Sequence, residues 1–131
     1  MKTLIVEDDF TSRLLLQEYL KDYGSSHVAV NGVEAVDAVS IALENGDPYD
    51  LICMDIMMPE MDGHSALREL RMLEEIREIP PSRRAKIIMT TALGSMKDVM
   101  EAYNDACDGY LLKPIVRAVF LKELHDLGLI E

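Results

Sequence analysis

Short apolar runs of strand length alternate along the whole chain with segments whose apolar residues recur at helical spacing. Lys2-Thr3-Leu4-Ile5-Val6 is a β-rich run that ends on three acids, Glu7-Asp8-Asp9. From Thr11 to Tyr23, the residues Leu16, Tyr19, Leu20 and Tyr23 predict a helix that Gly24 ends. His27-Val28-Ala29-Val30 predicts a second strand, Asn31-Gly32 a turn, and Val33, Val36, Val39 and Leu43 a second helix stopping near Asn45-Gly46. Asp47-Pro48 leads into a third strand, Leu51 to Asp55, after which Pro59 and Gly63 turn the chain sharply. Leu67, Leu70, Leu73 and Ile76 then predict a third helix, with Arg68, Glu69, Glu74 and Glu75 on its wet face and Pro80-Pro81 closing it. Ala85 to Thr90 reads as a fourth buried strand with Thr91-Ala92 at its tip. Ser95-Met96-Lys97-Asp98 has the form of a capping box opening a helix to about Tyr103. Gly109-Tyr110-Leu111-Leu112 is the fifth strand, Lys113-Pro114 its tip, and Val116, Phe120, Leu124 and Leu127 outline the last helix.

Strands that read as continuous apolar runs are buried on both faces, and strands separated by helices pair in parallel through right-handed crossovers. The expected fold is therefore α/β: a flavodoxin-like, doubly wound (βα)5 sandwich with a parallel five-stranded sheet of order 2-1-3-4-5. In that order the first and third strands are neighbours. Glu7, Asp8 and Asp55 then converge beyond the strand ends, with Thr91 and Lys113 arriving from the strands alongside.

Composition narrows what such a crevice can serve. At 131 residues, 49% hydrophobic and 28% charged, the chain is expected to form one domain over residues 1–131, with no attached output domain. No apolar stretch approaches the roughly 20 residues a membrane span needs, and no leader pattern is seen, so a cytoplasmic location without membrane contact is expected. Cys53 and Cys107 lie in or beside apolar strands, as buried reduced thiols do. A net charge of −11 argues against direct nucleic acid binding, which draws its affinity from cations on phosphates.

Several carboxylates gathered at one place either raise their pKa values or recruit a hard cation. Mg²⁺ suits oxygen donors, keeps several waters and often completes its shell with a phosphate oxygen. A lysine at a neighbouring strand tip adds positive charge and a donor, and a threonine hydroxyl adds another hydrogen bond. The arrangement predicts a carboxylate, Asp55, that receives a phosphoryl group, with Mg²⁺ and Lys113 neutralising the transferring oxygens.

The motifs that carry this chemistry are Leu4-Ile5-Val6-Glu7-Asp8-Asp9, Asn31-Gly32-Val33-Glu34-Ala35, Met54-Asp55-Ile56-Met57-Met58-Pro59 with Met61-Asp62-Gly63, Met89-Thr90-Thr91-Ala92, and Asp108-Gly109-Tyr110-Leu111-Leu112-Lys113-Pro114. In order and over nearly the whole chain, they resemble the receiver domain of bacterial two-component response regulators, in particular the CheY-like stand-alone regulators. The resemblance implies that Asp55 accepts phosphate from a sensor histidine kinase or a histidine phosphotransfer protein. It implies Mg²⁺ held by Asp8, Asp55 and the backbone carbonyl of Met57, with Glu7 acting through water. Which two of the three consecutive acids form the metal pair stays open in the sequence. The family's first-helix arginine, matched by Arg13, phases the pair onto Glu7 and Asp8, leaving Asp9 as a bystander or helix cap. Thr91 is the implied switch hydroxyl, the Ala92 amide a second phosphoryl donor, Lys113 a phosphoryl ligand ahead of a cis peptide to Pro114, and Tyr110 the switch aromatic. The surface of the fourth helix, fifth strand and fifth helix would then be presented differently to a downstream protein target, by a monomer or a phosphorylation-dependent dimer.

The chain departs from the family pattern in three places. The connection through Pro80-Pro81-Ser82-Arg83-Arg84 is long; Ala106-Cys107 stand where Gly-Ala is common, which points to a different helix cap, through Asn104; and Met57 and Leu93 are apolar beside the expected water path, which predicts slow self-dephosphorylation. His64 reads as an exposed loop side chain and the nine methionines as core and loop filling. Three other functions compete. A small Mg²⁺-dependent aspartyl phosphohydrolase needs more chain for a cap. A degenerate receiver acting as a constitutive binding module would not need every site residue, and a flavin-binding fold needs Gly, Ser and Thr where Glu7-Asp8-Asp9 stand.

Overall fold

The computed structural model describes residues 1–92 and 96–131. Five strands, β1 (Thr3–Val6), β2 (Ser26–Ala29), β3 (Leu51–Asp55), β4 (Lys86–Thr91) and β5 (Gly109–Leu112), form one parallel sheet in the order β2-β1-β3-β4-β5. Between and after them come α1 (Phe10–Leu20), α2 (Gly32–Glu44), α3 (Gly63–Ile76), α4 (Met96–Asn104) and α5 (Arg117–Asp126). The expected (βα)5 order is the one found.

The period of two along each strand sorts the core into two compartments. Leu4, Val6, Ile52, Met54, Ile87 and Met89 face one side, against Ala35, Val39 and Ala42 of α2, Ala66, Leu67 and Leu70 of α3, and Ala102 of α4. Ile5, Leu51, Cys53 and Ile88 face the other, against Leu16 and Leu20 of α1 and Phe120 and Leu124 of α5. Small residues dominate the sheet-facing stripe of α2, which lets that helix lie close. The outer strand β2 is half wet, with His27 and Val28 exposed, because it has only β1 beside it.

The boundaries move where backbone bonding overrides periodicity. Helix α1 ends at Leu20 although the apolar spacing continues to Tyr23, whose amide donates to the Leu20 carbonyl (2.9 Å), three residues back instead of four. Gly24 adopts φ 125°, and a Cβ there would collide with the backbone of Met1, so no other residue makes this turn without rearrangement. Strand β2 lies one residue earlier than expected. The Ser95 end of the predicted capping box falls outside the described residues, as does Leu93.

Three expectations are corrected. Helix α4 is not capped through Asn104: Ala106 takes φ 70°, its amide reaches the Tyr103 carbonyl (3.1 Å), and the Cys107 amide reaches the Ala102 carbonyl (3.0 Å), a Schellman ending built on alanine. Glu74 does not face water. It is 4% exposed, accepting from the Ala85 amide (2.9 Å) and from Arg71 (2.7 Å), because the incoming β4 folds over that side of α3. His64 is neither in a loop nor exposed: it is the second residue of α3 and 7% exposed, covered by α4.

Candidate functional site

Each strand that reaches the upper edge of the sheet ends on a polar side chain, and the register fixes which ones meet. Val6 pairs with Met54, so Glu7 and Asp55, one residue further on, lie side by side. Asp55 pairs with Thr90, Thr91 pairs with Leu112, and the Lys113 amide donates to the Thr91 carbonyl at 2.8 Å. Glu7 and Asp55 are buried, at 1% and 4% exposure, whereas Asp8 is exposed. Carboxylate oxygens of Glu7, Asp8 and Asp55 all lie within 4.8 Å of one another.

Lys113 supplies the compensating charge. Its Nζ makes a short contact with Glu7 Oε1 and lies 3.5 Å from Asp55 Oδ2. The Lys113–Pro114 peptide is cis, as the resemblance implies. Burial pushes the Glu7 carboxyl above the usual carboxylate range, and the neighbouring Asp55 adds to the rise while Lys113 opposes it. Burial alone would lower the Lys113 ammonium, but the bond to Glu7 and the charge of Asp55 outweigh it and hold Lys113 above its ordinary value. The trio is thus short of positive charge: one ammonium stands among three acids.

The surrounding backbone serves the same point. Arg13 reaches back from α1 to the carbonyls of Glu7 and Asp8, each at 3.1 Å, and so holds the turn that presents both acids. Asp9 points the other way and caps α1, accepting from the Ser12 amide (2.9 Å) and hydroxyl (2.8 Å). Of the three consecutive acids, Glu7 and Asp8 are the two that join Asp55, and these helix-capping bonds hold the Asp9 carboxyl below its usual range. The Met57 amide donates to Asp55 Oδ1 at 3.3 Å, while the Met57 side chain is 64% exposed. Gly63 closes the loop: its amide donates to the Ile56 carbonyl (2.9 Å), and a Cβ there would meet Ile56 Cα at 2.7 Å and collide with the Asp55 carbonyl. A side chain at Gly63 would push α3 off the end of β3.

Thr91 is fully buried at the end of β4, and Ala92 follows it at the exposed edge. Tyr110, opposite Met89 in the register, packs partly buried against the α2–α4 compartment, with its hydroxyl enclosed and without a hydrogen-bond partner among the described residues. The two thiols are chemically quiet. Burial pushes Cys53 up to about 12, and burial together with Asp108 pushes Cys107 up to about 11. Sequence reasoning passed over Arg71, which joins α3 to the strands by bonding the Ala85 and Ala106 carbonyls (both 2.9 Å) and Asp108 (2.8 Å). No local pattern marks it, since all its partners outside α3 are remote in sequence.

The response regulator receiver domain family matches residues 3–125. The chain belongs to this family. As a receiver it is a signalling domain, phosphorylated within a two-component phosphorelay. Chemotaxis protein CheY-3 of Vibrio cholerae is 34% identical over 128 residues, which are 96% of this chain and 89% of the relative. The Saccharomyces cerevisiae co-crystal structure of the histidine phosphotransfer signalling protein Ypd1 with the receiver domain of Ssk1 aligns with a TM-score of 0.83 and 29% identity, covering 98% of this receiver and 88% of the other chain. The CheX–CheY–BeF3–Mg²⁺ complex of Borrelia burgdorferi aligns with a TM-score of 0.79 and 27% identity, covering 100% and 90%. Other curated relatives are longer: this receiver spans 48% of one and 6% of another. Among the described residues, no helix is long and apolar enough to cross a membrane.

Proposed function

We propose that Asp55 is the phosphoryl acceptor of this receiver, with Lys113, Thr91 and the Ala92 amide as ligands of the transferred group. The observation that carries the reading is the position of Asp55: almost fully buried at a strand tip, joined by two other carboxylates, with Lys113 Nζ 3.5 Å from its free edge. A carboxylate so placed is an accessible nucleophile only while its neighbours' charge is balanced.

The donor set fits Mg²⁺: three hard carboxylates close enough to share one ion and no nitrogen or sulfur ligand among them. Asp8, Asp55 and the Met57 carbonyl would hold the ion, with Glu7 acting through water. When bound it neutralises charge on the acids and on the phosphoryl oxygens. Lys113 bonds Glu7 and borders Asp55 in the resting site, and it is the group free to turn toward a phosphoryl oxygen once that oxygen arrives. Thr91 supplies the hydroxyl from the next strand, and Tyr110, one strand further, follows it.

Upstream, the donor is a phosphohistidine on a sensor kinase or a phosphotransfer protein; the yeast receiver aligned above is held by such a protein. Downstream, the output surface is that of α4, β5 and α5, where Met100, Tyr103, Leu112, Val116 and Val119 are all at least half exposed. An apolar surface of that kind suits a protein partner, and the acidic net charge disfavours nucleic acid. The domain works in the cytoplasm, as a monomer or as a dimer formed on phosphorylation. Incubation with acetyl phosphate and Mg²⁺, followed by intact mass, tests the acceptor. One metal-dependent phosphoryl adduct is expected, absent in Asp55→Asn. An adduct that survives in Asp55→Asn, or none in the wild type, would refute the assignment.

A further inference from the structure

In the first turn of α3, facing α4, an imidazole is buried against acids for which the phosphoryl chemistry has no use. His64 is 7% exposed, and among the described residues neither ring nitrogen has a hydrogen-bond partner. Its Nε2 faces α4, 3.6 Å from Asp98 Oδ1 and 3.8 Å from Glu101 Oε2, beyond hydrogen-bond reach of both. Glu101 on α4 and Asp105, just past its last residue, each place a carboxylate oxygen so that these two and the His64 nitrogen all lie within 4.8 Å of one another. A buried polar nitrogen without a partner is costly, and here it is aimed at a ready set of anionic donors.

We propose that His64, Glu101 and Asp105 form a second metal site, for a transition-metal dication of the Zn²⁺ type. The imidazole decides the class: nitrogen donors favour Zn²⁺, Co²⁺ or Ni²⁺ over Mg²⁺ and Ca²⁺, which the all-oxygen site beside Asp55 suits. Bonds of about 2.1 Å at tetrahedral angles place donors roughly 3.4 Å apart, so small side-chain rotations would close the three groups around one ion. His64 is fixed by burial, whereas Glu101 and Asp105 are part-exposed, which leaves both a rigid anchor and a route from solvent. The local competitor is Arg68, one turn after His64, whose Nη1 holds Glu101 (3.3 Å) and Asp105 (3.0 Å). The metal displaces that guanidinium and replaces an exposed ion pair with bonds that pin α4 to α3.

Zn²⁺ titrated calorimetrically into the full chain, with saturating Mg²⁺ to occupy the acidic trio, tests this. One Zn²⁺ per chain is expected, bound at least tenfold more weakly by His64→Gln and by Glu101→Gln, and more tightly by Arg68→Gln, which removes the competing cation. Glu101 lies on the surface, so its variant keeps the test valid if His64→Gln does not fold. Absence of Zn²⁺ binding in the wild type would overturn the proposal. So would unchanged affinity in both His64→Gln and Glu101→Gln, which would place the ion at Glu7, Asp8 and Asp55.

Discussion

Glu7 is the residue where stability and function pull apart. It is buried as a carboxylate beside Asp55, and Lys113 does not fully offset the cost. An acid whose folded pKa lies above its unfolded value binds more protons when folded. Its contribution to stability is therefore complete below the ordinary glutamate range and is lost as pH rises through the raised folded value. Above that raised value the ionised Glu7 weakens the metal-free fold, so Glu7→Gln is expected to raise the melting temperature increasingly as pH climbs and to make little difference at pH 4. The same change should weaken Mg²⁺ binding by about 10–100-fold, as loss of a group supporting a metal through water does, measurable by calorimetry at pH 7. Met57 offers a second test at this scale. Its apolar, exposed side chain stands two residues after the proposed acceptor and cannot orient a water, so Met57→Asn is expected to speed phosphoryl loss about tenfold or more, read as phosphate release over time.

At the scale of elements, the end of α4 carries a removable strain. Ala106 occupies the left-handed conformation that a Schellman ending favours for glycine, at a cost of about 1–2 kcal/mol, partly offset by the lower chain entropy of alanine when unfolded. Ala106→Gly is therefore expected to stabilise the domain by about 0.5–1 kcal/mol, a rise of about 2–4 °C in a thermal melt. The departure at Ala106 was visible in the sequence, but its conformation was not, because an αL residue is set by the carbonyls it must satisfy. Elements with local signals were read well. The apolar runs gave β3 and β5 to the residue, and the Asn31-Gly32 turn falls where α2 opens; that Asn31 and Asp62 cap α2 and α3, accepting at 2.8 Å from the Glu34 and Ser65 amides, was not read from the sequence. The meeting of Glu7, Asp8 and Asp55 beside Lys113 was legible for the same reason, since strand tips in a known order dictate which side chains meet. Glu74 and His64 were misread because their burial depends on β4 and α4 arriving from far along the chain. A charged residue on a helix and a histidine after a glycine are ordinarily wet, and nothing nearby in sequence says otherwise.

For the whole molecule, charge and binding are coupled. A domain with net charge −11 that concentrates three acids at one edge gains stability from any dication it binds only when folded. Mg²⁺ at 100 times its dissociation constant should stabilise the fold by about 2.7 kcal/mol, and thermal melts across a Mg²⁺ series should show the gain growing with concentration and shrinking in Glu7→Gln. The sheet itself divides the interior: Leu70 belongs to the compartment under α2, α3 and α4, and Leu124 to the one under α1 and α5. Such a partition works as a bulkhead. Damage behind α5 drains stability from the whole domain through contacts that α4 does not share, so a mutation there can weaken the fold while the packing beneath α4 stays as it is.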